Sequence, residues 1–125
     1  MLAFRAAAVG FYDGALELVR EVSRNQRVLS LSNTNAVKWP VVLAGFGDAT
    51  ADPFHGHHPS HQSGFHKPDR RAFEALAAMQ DPNTEFCFFD DRAENVAAAR
   101  ALGWHAQRVR GVGETRRACS ELGLI

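Results

Sequence analysis

The sequence predicts an α/β fold with a mostly parallel sheet, because extended and helical patterns alternate along its 125 residues. This length is sufficient for one domain with a hydrophobic core and too short for two. Hydrophobic residues make up 46% of the chain and charged residues 22%, as is typical of soluble globular proteins. We therefore treat residues 1–125 as a single domain.

The first half of the chain contains one clear helix and one clear strand. Residues 14–24 space their apolar side chains as an amphipathic helix does, and residues 28–31 form a short apolar strand. The next segment is ambiguous, although residues 37–46 fit a helix interrupted near Pro40. Residues 54–60 fit a short strand only weakly.

The second half alternates more regularly. A helix is predicted over residues 68–79, where the proline at its start suits a first helical turn. Residues 86–89 are the clearest strand, and an alanine-rich helix follows over residues 92–102. A further strand over residues 104–109 and a last helix over residues 113–122 complete the pattern, which implies βα units.

Composition excludes several function classes. Fourteen basic residues balance fourteen acidic ones, which argues against a nucleic-acid or anionic-membrane partner. No apolar run approaches membrane-spanning length, and no signal-peptide pattern is present. Cys87 and Cys119 lack metal-ligand spacing and are expected to be buried, reduced thiols. These features predict a cytoplasmic protein.

Polar side chains stand at the ends of three predicted elements. Ser32 and Asn33 follow the first strand, Lys67 precedes a helix, and Asp90 and Asp91 follow the clearest strand. Because parallel strands bind ligands at their carboxyl ends, we expect these groups to converge at one edge of the sheet. Paired carboxylates suit Mg²⁺, and a lysine with a hydroxyl suits phosphoryl oxygens.

Each of these residues also has an ordinary structural interpretation. Asp91 could cap the following helix with Glu94 in a capping box, a role compatible with metal binding. Ser32 and Asn33 could be turn formers after a strand. Lys67 could be a solvated lysine at a helix end, although a cation there opposes the helix dipole.

Three segments, taken in order, resemble motifs of the haloacid dehalogenase superfamily. Residues 29–33 (Leu-Ser-Leu-Ser-Asn) are similar to its second motif, an apolar strand ending in Ser/Thr-Asn. Residues 60–68 contain a Ser followed by Gly-x-x-Lys-Pro, similar to the third. Residues 88–95 (Phe-Phe-Asp-Asp-Arg-Ala-Glu-Asn) are similar to the fourth. Order and spacing also match, and the resemblance covers roughly residues 12–109.

The resemblance implies a Rossmann-like parallel sheet with flanking helices and an Mg²⁺-dependent phosphomonoester phosphatase acting on a small phosphorylated metabolite. Ser32 would bind the phosphoryl group, with Asn33 shaping the same loop. Lys67 would be catalytic and would neutralise phosphoryl oxygens. Asp91 would be the direct metal ligand, while Asp90 would bind the metal or one of its waters. The Asp-Asp pair favours the phosphatase branch over metal-independent dehalogenases.

One family motif is absent, because the sequence contains no Asp-x-Asp segment to supply the nucleophile. Asp13 is the nearest candidate, and a turn or N-cap role fits it better. The expected fold is therefore a partial core that lacks the central first strand and most of the cap, with residues 1–13 as a remnant of a cap or linker. The lost strand would expose inner sheet edges, so a homo-oligomer or a complementing chain is expected.

Two alternatives to an active phosphatase follow from the sequence. Without its nucleophile the chain would be a catalytically inactive remnant that binds phosphate or metal, or an interaction module. In addition, five histidines between His55 and His66 suggest a Zn²⁺ or Ni²⁺ site. No acid or cysteine with ligand-like spacing accompanies them, which disfavours that site.

Overall fold

The computed structural model describes residues 15–48 and 50–125 and the backbone of residues 2–7. In these ranges the strands are β1 Leu2–Ala7, β2 Arg27–Ser32, β3 Gly56–Pro59, β4 Glu85–Asp90 and β5 His105–Arg108. The helices are α1 Ala15–Ser23, α2 Trp39–Ala44, α3 Ser60–Ser63, α4 Arg70–Ala78, α5 Ala93–Ala101 and α6 Gly111–Glu121. The strands form one parallel sheet in the order β3-β2-β1-β4-β5, which confirms the predicted α/β class.

Strand β1 lies at the centre of the sheet, so the expectation of a missing central strand was wrong. It pairs with β2, where Ala7 is level with Leu31, and with β4, where Arg5 is level with Phe88. The sequence of β1 is Leu-Ala-Phe-Arg-Ala-Ala, and alanine is a poor strand former. Its pairing with two neighbours decides its conformation, and local propensity did not reveal it.

The position of β1 changes two further expectations. Residues 2–7 belong to the sheet, so they are not a remnant of a cap or linker. Residues 8–14 lie outside the described residues. Because β1 fills the space between β2 and β4, these strands have no unpaired inner edges. The structural reason for expecting a complementing chain therefore disappears.

The ambiguous segment after β2 contains α2, which begins at Trp39 and continues through Pro40 without interruption. Proline is tolerated there because the first-turn N–H groups have no partner within a helix. The short helix α3 was not predicted, since its four residues carry no helical periodicity. The strand predicted over residues 54–60 is confirmed in part by β3.

Two apolar clusters cover the two faces of the sheet. On one face, α1 and α6 bury Val22 and Cys119 against the sheet. On the other face, α4 and α5 bury Phe73 and Val96. Strand β4 contributes to both clusters because its side chains alternate between faces, and it is therefore apolar throughout its centre. This burial fixes the strand that ends in Asp90.

Replacing Phe73 by alanine should lower the free energy of unfolding by about 3–5 kcal/mol, because the ring is fully buried and its loss leaves a cavity. The ring makes edge contacts with Phe88 and Trp104 at centroid distances of 5.2 and 5.4 Å. Urea denaturation measures the change. Met79→Ala, at a residue 72% exposed, should change stability by less than about 0.5 kcal/mol. Equal losses in the two variants would contradict this assignment of the core.

Stability should also fall in alkaline solution through Cys119. Burial raises the pKa of this thiol to about 12 from its ordinary value of 9.0. The unfolded chain therefore loses this proton at lower pH than the folded chain. The contribution of the thiol to stability is complete below pH 9.0 and is lost as the pH rises toward 12. Denaturation at a series of pH values should show a shallower alkaline decline for Cys119→Ala than for the wild type.

Candidate active site

A cavity of about 430 Å³ opens at the carboxyl ends of β2 and β4. Its lining is mainly polar and consists of Ser32, Asn33, Lys67, Pro68, Asp90, Arg92, Glu94 and Asn95. Four of the five predicted site residues therefore line one space, although they are far apart in sequence. The fifth, Asp91, adjoins this cavity through Asp90 and is not part of its lining.

A buried ion pair forms the floor of the cavity. Lys67 Nζ lies 3.0 Å from Asp90 Oδ2, and the two side chains are 4% and 1% exposed. Asp90 Oδ2 also accepts from Asn95 Nδ2 at 3.3 Å, while Asp90 Oδ1 accepts from the Arg92 N–H at 2.9 Å. Lys67 is thus not a solvated helix-end lysine. Each carboxylate oxygen has a donor, as a buried charge requires.

The loop that follows β2 holds the lysine in place. Asn33 Oδ1 accepts from the Lys67 N–H at 2.8 Å, and Asn33 Nδ2 donates to the Lys67 carbonyl at 3.0 Å. Two opposed bonds to one residue fix its backbone more firmly than a single bond. The Ser60 hydroxyl also bonds both the N–H and the carbonyl of Thr34. Asn33 therefore fixes the backbone of Lys67, which an ordinary turn former would not do.

Ser32 is the last residue of β2 and is 3% exposed. Its hydroxyl is buried and makes no hydrogen bond to any residue in the described ranges. A buried hydroxyl without a partner costs free energy, so its position beside the ion pair suits a ligand that accepts its proton. The same observation argues against a simple turn-forming role.

Asp91 also has a buried oxygen without a partner among the described residues, Oδ1. The capping box that was the structural alternative for Asp91 is not formed, because the residue before α5 is Arg92 and no side chain caps its N-terminus. The carboxylate that binds this turn is Asp90, through the Arg92 N–H. The Oδ1 atom of Asp91 is therefore not used for capping, and it remains a buried carboxylate oxygen without a hydrogen-bond partner among the described residues.

The mouth of the cavity carries a second, exposed ion pair. Arg92 Nε lies 2.7 Å from Glu94 Oε1, and both side chains are more than half exposed. The carboxylate of Glu94 raises the pKa of Arg92, and Arg92 lowers the pKa of Glu94. Both groups are therefore charged at neutral pH. Solvent screening keeps the contribution of this pair to stability small.

Sequence reasoning missed the role of Asn95, which is 2% exposed and bonds Asp90. The sequence did contain an indication of this role: asparagine is a poor helix former, and Asn95 stands within an otherwise alanine-rich helix. Asn95 lies five positions after Asp90, and the turn into α5 brings the two together. Asp13, the weak nucleophile candidate, lies outside the described residues.

Two of the five histidines, His55 and His57, make hydrogen bonds within the fold. His57 Nδ1 lies 2.5 Å from Ser30 Oγ, and His57 Nε2 lies 2.5 Å from Asp52 Oδ2. The ring stacks on Phe46 with a centroid distance of 4.8 Å, and His55 Nδ1 accepts a backbone N–H. Within residues 15–48 and 50–125, no three His, Cys, Asp or Glu side chains group as metal ligands. Nor is any helix there long and apolar enough to cross a membrane.

Replacing Asp90 by asparagine should destabilise the fold by about 3–5 kcal/mol, because Lys67 would lose the carboxylate that compensates its buried charge. Urea denaturation measures the loss, and Glu121→Gln at an exposed carboxylate is the control. The double variant Asp90→Asn/Lys67→Met should lose less than the sum of the single variants, since it leaves no unpaired charge. Additive losses would show that the pair is not coupled.

The chain is similar to several known proteins. Phosphatase MT3486 of Mycobacterium tuberculosis is 42% identical in an alignment over 71 residues, and the match covers 53% of this chain and 33% of the relative. The enzyme bt-2542 of Bacteroides thetaiotaomicron, solved as an aspartate-to-alanine mutant with magnesium and inorganic phosphate, is 29% identical. Its TM-score is 0.70, and the match covers 82% of this chain and 55% of that protein.

A predicted HAD-like family hydrolase of Porphyromonas gingivalis shares the fold, with a TM-score of 0.72 and 24% identity. The match covers 90% of this chain and 58% of that protein. The chain thus spans a third of the curated relative and little more than half of these solved relatives. The model of the haloacid dehalogenase-like hydrolase family matches residues 3–103, which include every described residue of the cavity. The chain belongs to the haloacid dehalogenase-like hydrolase family.

Proposed function

We propose that the cavity binds the phosphoryl group of a small phosphomonoester together with Mg²⁺, as in a Mg²⁺-dependent phosphatase. The observation that carries this proposal is the buried pair of Lys67 and Asp90 in the same cavity as the Ser32 hydroxyl, which has no hydrogen-bond partner among the described residues. The Ser32 hydroxyl and the Lys67 ammonium are donors, and phosphoryl oxygens accept from both. Family membership and a curated phosphatase relative support the same reaction class.

The charges around the cavity favour a metal-dependent site. In the lining, Lys67 and Arg92 are positive and Asp90 and Glu94 are negative, and Asp91 beside the lining adds one further negative charge. A phosphomonoester dianion would therefore meet an excess of negative charge unless a cation were bound as well. Mg²⁺ would supply that charge, and it commonly uses one or two carboxylates with several waters.

The donor set also indicates which carboxylate would hold the metal. Asp91 Oδ1 is buried without a partner among the described residues, whereas both oxygens of Asp90 accept hydrogen bonds. Asp91 is therefore the direct ligand in this proposal. Asp90 orients Lys67 and is available to a metal-bound water. Asn95 and the Arg92 N–H keep Asp90 in that orientation.

Turnover needs a nucleophile that the described site does not contain. Strand β1 ends between β2 and β4, and none of its six residues is acidic. The whole sequence has no Asp-x-Asp segment. A second candidate function, binding of phosphate and metal without hydrolysis, is favoured by this absence. The aspartate-to-alanine mutant of bt-2542 was crystallised with magnesium and inorganic phosphate, which supports such binding.

Calorimetric titration with inorganic phosphate tests the binding step. We expect MgCl₂ to raise the phosphate affinity of the wild type by about tenfold or more, since the metal adds charge-assisted contacts. Asp91→Asn should remove the effect of Mg²⁺, and Lys67→Met should weaken phosphate binding itself. Asp81→Asn, at an exposed aspartate, is the matched control. Phosphate binding that responds neither to Mg²⁺ nor to these variants would refute the proposal.

Hydrolysis of p-nitrophenyl phosphate separates the two candidate functions. Turnover that requires Mg²⁺ and is lost in Asp91→Asn would establish the phosphatase. Magnesium-dependent phosphate binding without turnover would establish the binding function. Turnover that persists in Asp91→Asn would point to a contaminating enzyme, and it would exclude this site as the source.

A further inference from the structure

An open groove of about 570 Å³ runs along β5, at the edge of the sheet remote from β3. It is lined by Arg100, Trp104 and residues 105–108, and none of these lines the candidate active site. Two arginines and one histidine contribute to this lining, and no carboxylate does. The charges of the groove are therefore complementary to an anion.

The backbone of β5 presents hydrogen-bond donors to this groove. The Val109 N–H donates to the Asp90 carbonyl at 3.0 Å, across the pair formed by β4 and β5. Because backbone groups alternate between the two sides of a strand, the N–H groups of Ala106 and Arg108 point away from β4. Among the described strands, none pairs with this side of β5. These two N–H groups therefore face the open edge.

Both arginines are held in place through Nε. Arg100 Nε donates to the Ala106 carbonyl at 3.0 Å, and Arg108 Nε donates to the Asp91 carbonyl at 2.9 Å. An arginine anchored through Nε still has its two terminal NH₂ groups, in a planar and rigid arrangement. The two guanidinium groups are consequently pre-positioned at the groove, which lowers the entropic cost of binding a ligand.

The bond from Arg100 also distinguishes between classes of ligand. A peptide strand added to β5 would use the outward-facing Ala106 carbonyl as an acceptor, but Arg100 already occupies that carbonyl. Apart from the carbonyl of Arg108, the remaining main-chain and guanidinium groups at this edge are donors: two backbone N–H groups and two guanidinium groups. A set dominated by donors matches a ligand composed of acceptors, such as phosphate or carboxylate.

We propose that the β5 groove is a second binding site, which takes a small oxyanion of the phosphate or carboxylate class. The N–H group of Ala106 or that of Arg108 donates to the anion, since the two lie too far apart along the strand to share one small oxyanion, and the guanidinium groups of Arg100 and Arg108 neutralise its charge. This site does not depend on the proposed phosphatase function. Through Arg108 it is one hydrogen bond away from Asp91, the metal ligand in that proposal.

Amide NMR spectra of the ¹⁵N-labelled chain test the proposal, because they locate binding residue by residue. Inorganic phosphate and citrate are titrated separately, with sodium chloride at equal ionic strength as the reference. We expect saturable shifts of the Ala106 and Arg108 amides with at least one of the two anions. Phosphate binding at the candidate active site is distinguished by shifts at Asn33 and Lys67. Saturation with phosphate alone, or with citrate alone, identifies the class of ligand.

Variants assign the groups that bind. Arg100→Gln and Arg108→Gln should each weaken the affinity measured at Ala106 by about tenfold, because each removes a charged donor. Arg70→Gln removes the same charge from an exposed arginine on α4 and should leave that affinity unchanged. Arg100→Lys and Arg108→Lys keep the charge and serve as a second pair if a glutamine variant does not fold. Each should bind more weakly than the wild type, because lysine lacks the planar fork.

The proposal is overturned if the Ala106 and Arg108 amides shift without saturation, or if sodium chloride reproduces their shifts. It is also overturned if the arginine variants bind as tightly as Arg70→Gln. Failure of the phosphatase proposal would appear elsewhere, as the absence of shifts at Asn33 and Lys67 with phosphate and Mg²⁺. The two outcomes are therefore read from different amides in the same spectra.

Discussion

The buried ion pair between Lys67 and Asp90 constrains much of the surrounding structure. Two charges removed from water remain favourable only when their other hydrogen-bonding positions are filled. Asn95 and the Arg92 N–H fill those of Asp90, and Asn33 fixes the backbone of Lys67. The start of α5, the loop after β2 and the approach to α4 are thereby joined at one point. The geometry of the cavity follows from this requirement.

The sheet supplies the framework on which that pair depends. Strands β2 and β4 are separated by β1, and all three run parallel, so their carboxyl ends meet at one edge. Apolar clusters on both faces hold the strands in register. Ser32 and Asp90 are the last residues of β2 and β4 and are almost fully buried. A buried edge of this kind would strengthen electrostatic interactions with the phosphoryl group of the proposed function.

The histidine-rich segment shows why residue type alone is a weak guide to a site. Its composition suggested a metal, yet His57 lies between Ser30 and Asp52 and stacks on Phe46. Both ring nitrogens of His57 are used within the fold, so neither is available as a ligand. Through His57, strand β3 contacts β2 at Ser30 and the aromatic rings of Trp39 and Phe46 at and after α2. Its role in the described structure is packing at the edge of the sheet.

The sequence by itself determined the α/β class, most helices and the identity of four cavity residues, because periodicity and strand-end chemistry are local properties. It could not locate β1, since Leu2–Ala7 is defined by its two neighbouring strands and not by its own propensity. Nor could it show that Asp90 binds Lys67 while Asp91 retains a buried oxygen without a described partner. Adjacent carboxylates are equivalent in sequence, and only the direction of each side chain separates their roles.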